Sequence, residues 1–211
     1  EINGIKKNER FSVGLGKFKG EGLNNENLVS SFKGSVFYSL DQKIPLIVNE
    51  AQDKFVDNSF NYIFEPVKQG IYIDTKLSAL YSIYNSGNHQ EYIGFGAGPE
   101  IIFGEFKRKY FDYTRISLFP FYRLKSGDSI FKFDQNSDQF TLKLALDQQL
   151  YGPILLKTDA TLNLDGDSNN YGNFINSKIA LNWKKRSYEF GVFYQPHNQS
   201  GGINFTLNGF E

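Results

Sequence analysis

Over most of its length this chain changes character every second residue, and that period suits strands with one apolar and one polar face, not an amphipathic helix. Phe140, Leu142, Leu144 and Leu146 alternate with Thr141, Lys143, Ala145 and Asp147. Leu156, Thr158, Ala160, Leu162 and Leu164 alternate with Lys157, Asp159, Thr161 and Asn163. Ile175, Ile179, Leu181 and Trp183 oppose Lys178, Ala180, Asn182 and Lys184; Tyr188, Phe190, Val192 and Tyr194 oppose Glu189, Gly191 and Gln195. Upstream, the same pattern predicts strands over Phe11–Lys17, Leu28–Leu40, Ile71–Ile83, Tyr92–Phe106 and Tyr113–Leu124, with a weaker candidate over Ser59–Phe64. Pro99 cannot donate to a ladder, so it predicts a bulge in Tyr92–Phe106 or a split into a hairpin. The count is about ten strands, many near the roughly 9–11 residues that cross a bilayer at a barrel tilt.

The connections add a second pattern. Lys125–Gln139 and Asp165–Gly172 are long and Pro196–Gly201 is moderate, whereas Lys107–Asp112, Tyr151–Pro153 and Lys185–Ser187 are short. Long and short alternate, as extracellular loops and periplasmic turns do in outer-membrane barrels, and this parity puts the chain end on the periplasmic side. A soluble β-sandwich or lipocalin-like barrel shares the alternation but has no reason for that rhythm. A polar average, with mean hydropathy −0.43, accompanies 21 Phe and 13 Tyr, as expected where lumen and lipid faces cancel along each strand. The expected fold is therefore all-β: one domain over residues 1–211, an antiparallel up-and-down transmembrane β-barrel or the C-terminal part of a larger one.

Composition removes other classes. Lys and Arg equal Asp and Glu at 23 each, so no basic excess exists to neutralise a nucleic-acid backbone. With no cysteine, neither a disulfide framework nor a thiolate metal site can form. No segment approaches the roughly 18 apolar residues of a spanning helix. The chain starts at Glu1 and contains no Met, which suggests a piece of a longer protein whose leader or further domains lie upstream.

Several motifs invite chemistry. Ser200, Gly202, Phe205, Leu207 and Phe210 form an alternating last segment with a near-terminal aromatic, resembling the insertion signal by which barrel-assembly machinery captures an edge strand. Asp165-Gly-Asp167-Ser-Asn169-Asn170 superficially matches a calcium loop, but Asn170 stands where glycine belongs and Asn176 where glutamate does. A solvated hairpin loop is expected there. Gly94, Gly96 and Gly98 precede no helix pattern and fit small inward-facing residues of a strand better than a phosphate loop. His89 and His197 fall in loops; Ser86 or Ser200 beside them would be needed for a serine–histidine lipid hydrolase, and no nucleophile motif surrounds either. Aromatics near strand ends (Tyr81, Tyr84, Tyr110, Phe111, Tyr113, Phe131, Phe133, Tyr151, Trp183, Tyr188) predict interfacial girdles.

Ser126-Gly127, Phe131, Phe133 and Asp134, then Gln148-Gln149, Tyr151-Gly152-Pro153 and Asn163 to Asp165, with Tyr81 to Gly87 and Gly96 to Pro99 upstream, carry a family resemblance. The chain resembles the C-terminal barrel region of a cyanobacterial outer-membrane family distantly related to the lipopolysaccharide-assembly protein LptD. The match is dense from about residue 80 onward. The resemblance implies a lipopolysaccharide translocon serving envelope assembly, fed by a periplasmic bridge and releasing lipid sideways at a seam formed in part by Gly202–Phe210. Its implied partners are outer-membrane lipid, lipopolysaccharide, barrel-assembly machinery and periplasmic bridge proteins, with no cofactor and no catalysis. Two features depart from the relatives: cysteine is absent, and no jellyroll domain is recognisable. A porin-like diffusion channel, a lipid-acting barrel enzyme and a soluble β protein are the alternatives.

Overall fold

The protein, seen in a computed structural model, is described over residues 5–23, 28–49, 67–106, 108–134 and 138–207. Ten strands form one sheet: β1 (Lys6–Gly20), β2 (Val29–Val48), β3 (Gly70–Tyr84), β4 (His89–Phe103), β5 (Thr114–Gly127), β6 (Phe140–Tyr151), β7 (Ile154–Asn163), β8 (Phe174–Lys184), β9 (Tyr188–Gln195) and β10 (Ser200–Leu207). Their order in the sheet is their order in the chain, and every pairing is antiparallel. The up-and-down topology expected from the alternation is thus present, as one sheet rather than the two packed layers of a sandwich. Closure is not: β1 pairs with β2 and β10 with β9, and among the described residues the two edge strands do not pair with each other. The weak candidate Ser59–Phe64 and the terminal Phe210 lie outside the described residues.

Register converts the alternation into two continuous faces. Phe11, Val13 and Leu15 stand opposite Tyr38, Val36 and Gly34, and Val36, Tyr38 and Leu40 stand opposite Tyr81, Ala79 and Leu77. The row continues through Phe95 and Ile93, Tyr122 and Leu124, Leu142 and Leu144, and Leu156. Leu181, Val192 and Ile203 then carry it to the last strand. A slip of one residue in any pairing would turn that strand's apolar side chains to the other face, so the pattern specifies the register strongly.

Prolines and glycines mark where the sheet is irregular. β2 shifts register between Pro45 and Ile47, where a residue without an N–H would leave a ladder position empty. Pro99 neither bulges nor splits β4. It pairs with Ile73 on one side, while on the other the ladder is interrupted between Gly96–Phe121 and Glu100–Ser117 without a change of register. The gap holds Pro99 and Pro120, two residues that cannot donate. Here β4 and β5 lie so close that a Cβ on Gly98 would fall 1.9 Å from the Leu118 carbonyl oxygen.

The connections fall at two ends. Those after β1, β3, β5, β7 and β9 leave and rejoin the sheet at one, the loop end; those after β2, β4, β6 and β8 leave and rejoin it at the other, the turn end. The expected long–short rhythm holds from β5 onward, whereas the connection after β4, expected to be short, is as long as the one after β7. The rhythm reverses in the first half, where 49–69 is the longest connection and 85–88 is a tight turn, closed by Tyr84 N donating to the Asn88 carbonyl at 2.9 Å.

Candidate functional site: a polar face turned inward

Burial in this sheet is inverted relative to a water-soluble protein. Apart from Tyr72, Tyr84, Phe121, Leu155, Ala180 and the glycines Gly94, Gly98 and Gly191, the buried residues of the strands are polar: Ser31, Ser39, Ser78, Ser82, Gln90, Glu100, Thr114, Thr141, Gln149, Asn163, Ser177, Asn182 and Glu189. The exposed ones are large and apolar, among them Leu15, Val36, Leu77, Ile93, Phe95, Ile116, Leu144, Leu181, Val192 and Ile203. From β2 to β10, the apolar face carries one charged side chain among the described residues, Glu91 at the loop end of β4. From Ile93 to Phe103 the exposed stripe runs ten residue steps, about 33 Å along the strand at about 3.3 Å per residue. Water would not leave a band of this continuity uncovered.

The opposite face is concave and charged. Residues from β1, β2, β3, β5, β6 and β7 line one cavity of about 700 Å³, including Lys6, Lys43, Asp74, Lys76, Lys143 and Asp159. Across its wall runs a chain of ion pairs. Lys43 pairs with Glu100, which is fully buried; Arg115 holds Glu100 through Nη2 at 2.6 Å and Asp147 through Nη1 at 3.2 Å. Four strands contribute one residue each, so the quartet ties β2, β4, β5 and β6 together. Lys76 pairs with Asp41 at 2.9 Å. Farther along, Lys157 meets Glu189 at 2.6 Å, and Asn182 donates to the same carboxylate oxygen. Buried charges persist where partners satisfy them, and here Asp41, Glu100, Asp147 and Glu189 are each held by a cation from another strand.

The residues that carry the family resemblance form two clamps, one at each end. At the turn end, fully buried Gln149 accepts from Asp112 N at 3.1 Å and Tyr113 N at 3.2 Å, and donates to the carbonyls of Arg108 at 3.2 Å and Gly152 at 2.9 Å. One amide thereby fastens the 104–113 loop to the turn that follows β6. Gly152 takes φ +49° in that turn, a left-handed conformation that suits glycine. Its N–H donates to the Lys109 carbonyl at 2.7 Å, and the Pro153 carbonyl accepts from Lys184 N at 2.7 Å. Tyr151 packs on Tyr110 with ring centroids 5.1 Å apart. In the same loop Tyr113 stacks on Phe106 at 4.4 Å, and burial pushes its phenol up to about 12.

At the loop end, the segment after β5 folds inward. Phe131 is fully buried and Phe133 stacks on it at 5.0 Å. Asp134 pairs with Lys33 at 2.6 Å and accepts from the Tyr84 hydroxyl at 2.6 Å. The predicted aromatic girdle therefore divides. Tyr110, Phe111, Tyr151, Trp183 and Tyr188 form an exposed row at the turn end, and Tyr81 is exposed near the loop end. Tyr84 and Phe131 instead face inward as parts of the loop-end clamp.

The remaining motifs find structural partners. In the calcium-like loop Asp165 accepts from Gln139 N at 2.7 Å and Asp167 N at 3.2 Å, so both oxygens of the Asp165 carboxylate have backbone donors. Gly94, Gly96 and Gly98 lie on the concave face against Phe121, Phe119 and the β5 backbone. His89 opens β4 and stacks on Tyr81. His197 meets a serine, but it is Ser177, twenty residues away, rather than Ser200. Ser177 N donates to His197 Nδ1 at 3.0 Å, and His197 N donates to Ser177 Oγ at 3.0 Å. The backbone N–H occupies the ring nitrogen that faces the hydroxyl, so the pair extends the β8 ladder where β9 has ended. Of the last segment, Phe205 pairs with Phe190 and Leu207 with Tyr188, both on the apolar face; Gly202 faces Phe193 on the other, and Ser200 opens the strand against Gln195.

No curated protein and no solved structure matches the chain. A family model described as a protein of unknown function, DUF3769, matches residues 8–211, and the chain belongs to that family.

Proposed function

We propose that this chain is the wall of a bacterial outer-membrane β-barrel of the LptD-like type, and that it moves lipopolysaccharide to the cell surface rather than catalysing a reaction. The observation that carries the membrane part is the inverted sheet: from β2 to β10 a charge-free apolar band outside, roughly 25 Å tall at a barrel tilt of about 40°, and a charged cavity with paired ions inside. Lipid tails accept the first face and water the second. A closed wall requires β1 and β10 to meet each other or further strands, because an open edge leaves backbone donors and acceptors unsatisfied in hydrocarbon.

The transport part rests on the resemblance carried by Phe131, Phe133, Asp134, Gln149, Tyr151, Gly152 and Pro153, and is helped by the lumen. Lysines and carboxylates in mixed array suit a phosphorylated sugar headgroup better than an apolar ligand. Depletion of the full-length protein in its host tests it. Loss of newly made lipopolysaccharide from the surface, with the protein recovered in the outer-membrane fraction, is the expected result. Normal surface lipopolysaccharide together with ion conductance in lipid-free-of-lipopolysaccharide bilayers would instead identify a diffusion channel, and recovery in the soluble fraction would reject the membrane assignment.

A further inference from the structure

Residues 128–134 do not project from the loop end as a surface loop; they cross it. The segment leaves β5 at Gly127 and reaches the far edge of the sheet, where Phe131 forms a β-bridge with Gly22, just past the end of β1. Lys132 N donates to the Glu21 carbonyl at 3.0 Å, and Phe133 lies against Gly20, where a Cβ would fall 2.6 Å from its ring. Each strand passed over on the way supplies one inward group to a single residue. Lys33 of β2 and Tyr84 of β3 hold the Asp134 carboxylate, and Gln90 of β4 donates to its carbonyl at 3.0 Å. Backbone pairing thus runs in a closed circuit at this end, through β1, β2, β3, β4, β5 and back along the strap to β1.

Resting on the reading of the concave face as a lumen, we propose that 128–134 is a gate across the loop-end mouth of that lumen, latched by Asp134. Asp138, farther along the connection, is anchored elsewhere: its carbonyl accepts from Arg123 at 3.0 Å and its carboxylate from Asn163 at 2.7 Å. Releasing Asp134 therefore loosens the strap, which keeps the Tyr84–Ser129 bond and its Phe131–Gly22 bridge and Lys132–Glu21 bond to the β1 edge, without unthreading the remainder. Gly127, at φ +68°, sits where the strap leaves β5, a position at which the chain can change direction with little steric resistance. The latch is a largely buried ion pair, with Lys33 and Asp134 side chains 13% and 17% exposed, so a neutral side chain at 134 leaves a buried lysine without its counter-charge.

The absence of cysteine makes a clean test possible. Glu21 and Lys132 stand opposite one another and are both exposed, so Glu21→Cys with Lys132→Cys places two thiols within disulfide reach when the strap is closed. In the full chain in detergent the pair should oxidise readily, and adding Asp134→Asn should slow it several-fold; Tyr84→Phe, which removes the hydroxyl's bonds to Asp134 and Ser129 but keeps the ring and the Lys33–Asp134 ion pair, should slow it less. In planar bilayers Asp134→Asn should raise conductance several-fold over the parent, and oxidising the cysteine pair in that background should return it to the parental level. Equal oxidation rates with and without Asp134, or unchanged conductance in Asp134→Asn, would overturn the gate. The oxidation rate needs no bilayer and no lipopolysaccharide, so it reads the strap even if the transport assignment fails.

Discussion

Replacing Gln149 by Leu is the sharpest test of how the turn end is held. Leucine has nearly the volume of glutamine, so no cavity is expected, and the β6 backbone keeps its bond from Gln149 N to the Tyr113 carbonyl. Four side-chain hydrogen bonds disappear, leaving the amides of Asp112 and Tyr113 and the carbonyls of Arg108 and Gly152 facing hydrocarbon. At about 1 kcal/mol net for each, the loss is about 4 kcal/mol. If the loop stayed in place the unsatisfied groups would cost more, so it will detach toward water and limit the loss to roughly 3–4 kcal/mol. The effect is then local opening of 104–113 rather than global unfolding. Hydrogen exchange in micelles should find the Asp112 and Tyr113 amides faster by roughly two to three orders of magnitude, following about 1.4 kcal/mol per tenfold. Amides at the centre of β7 should be unchanged. Gln149→Glu keeps the acceptor and loses both donors, so it should fall between parent and leucine. Unchanged protection at Asp112 and Tyr113 in Gln149→Leu would refute the claim that this amide fastens the loop.

Other perturbations separate the two faces and the ion-pair wall. Leu144→Arg, in the centre of the apolar face, should lower folding stability in lipid vesicles by about 2–4 kcal/mol, whereas Lys143→Leu beside it should change stability by less than about 1 kcal/mol; urea titration in vesicles measures both. Gly98→Ala forces a Cβ against the Leu118 carbonyl oxygen, so β4 and β5 must part. A loss of about 1–3 kcal/mol is expected in the same titration. Glu100→Gln leaves Lys43 and Arg115 facing a neutral amide, with Asp147 the remaining anion of the quartet. It should destabilise by about 1–3 kcal/mol, and adding Lys43→Met should recover part of that loss, since an unmatched lysine is removed with its desolvation penalty.

Face assignments were legible in the sequence because a period of two is a direct readout of which side chains share a face. Phe140, Leu142, Leu144 and Leu146 stand together on the exposed apolar side, and Thr141, Lys143 and Asp147 on the cavity side. Long-range contacts were not legible. Ser129 to Asp134 reads as a polar loop, and nothing local marks Tyr84 and Lys33 as its partners, so Tyr84 and Phe131 pass for girdle aromatics. His197 finds its serine across twenty residues, through the place where β9 ends short of β8. Pro99 suggested an interruption, yet β4 runs through it, since a missing donor matters only on the side where β5 would accept, and Pro120 leaves the same stretch of ladder empty. The alternating glycines of β4 hinted at small inward residues; that they admit the carbonyls of Pro120 and Leu118 needed the packed sheet.

Single cysteines introduced along β6 at positions 141 to 146 of this cysteine-free chain, each carrying a spin label in lipid vesicles, test the inverted sheet most directly. Labels at 142, 144 and 146 should collide with oxygen dissolved in the bilayer, and labels at 141, 143 and 145 with a water-soluble nickel chelate, giving a contrast of period two. The opposite phase, or equal access of the chelate at all six positions, would contradict a membrane-facing apolar surface and a water-facing charged one.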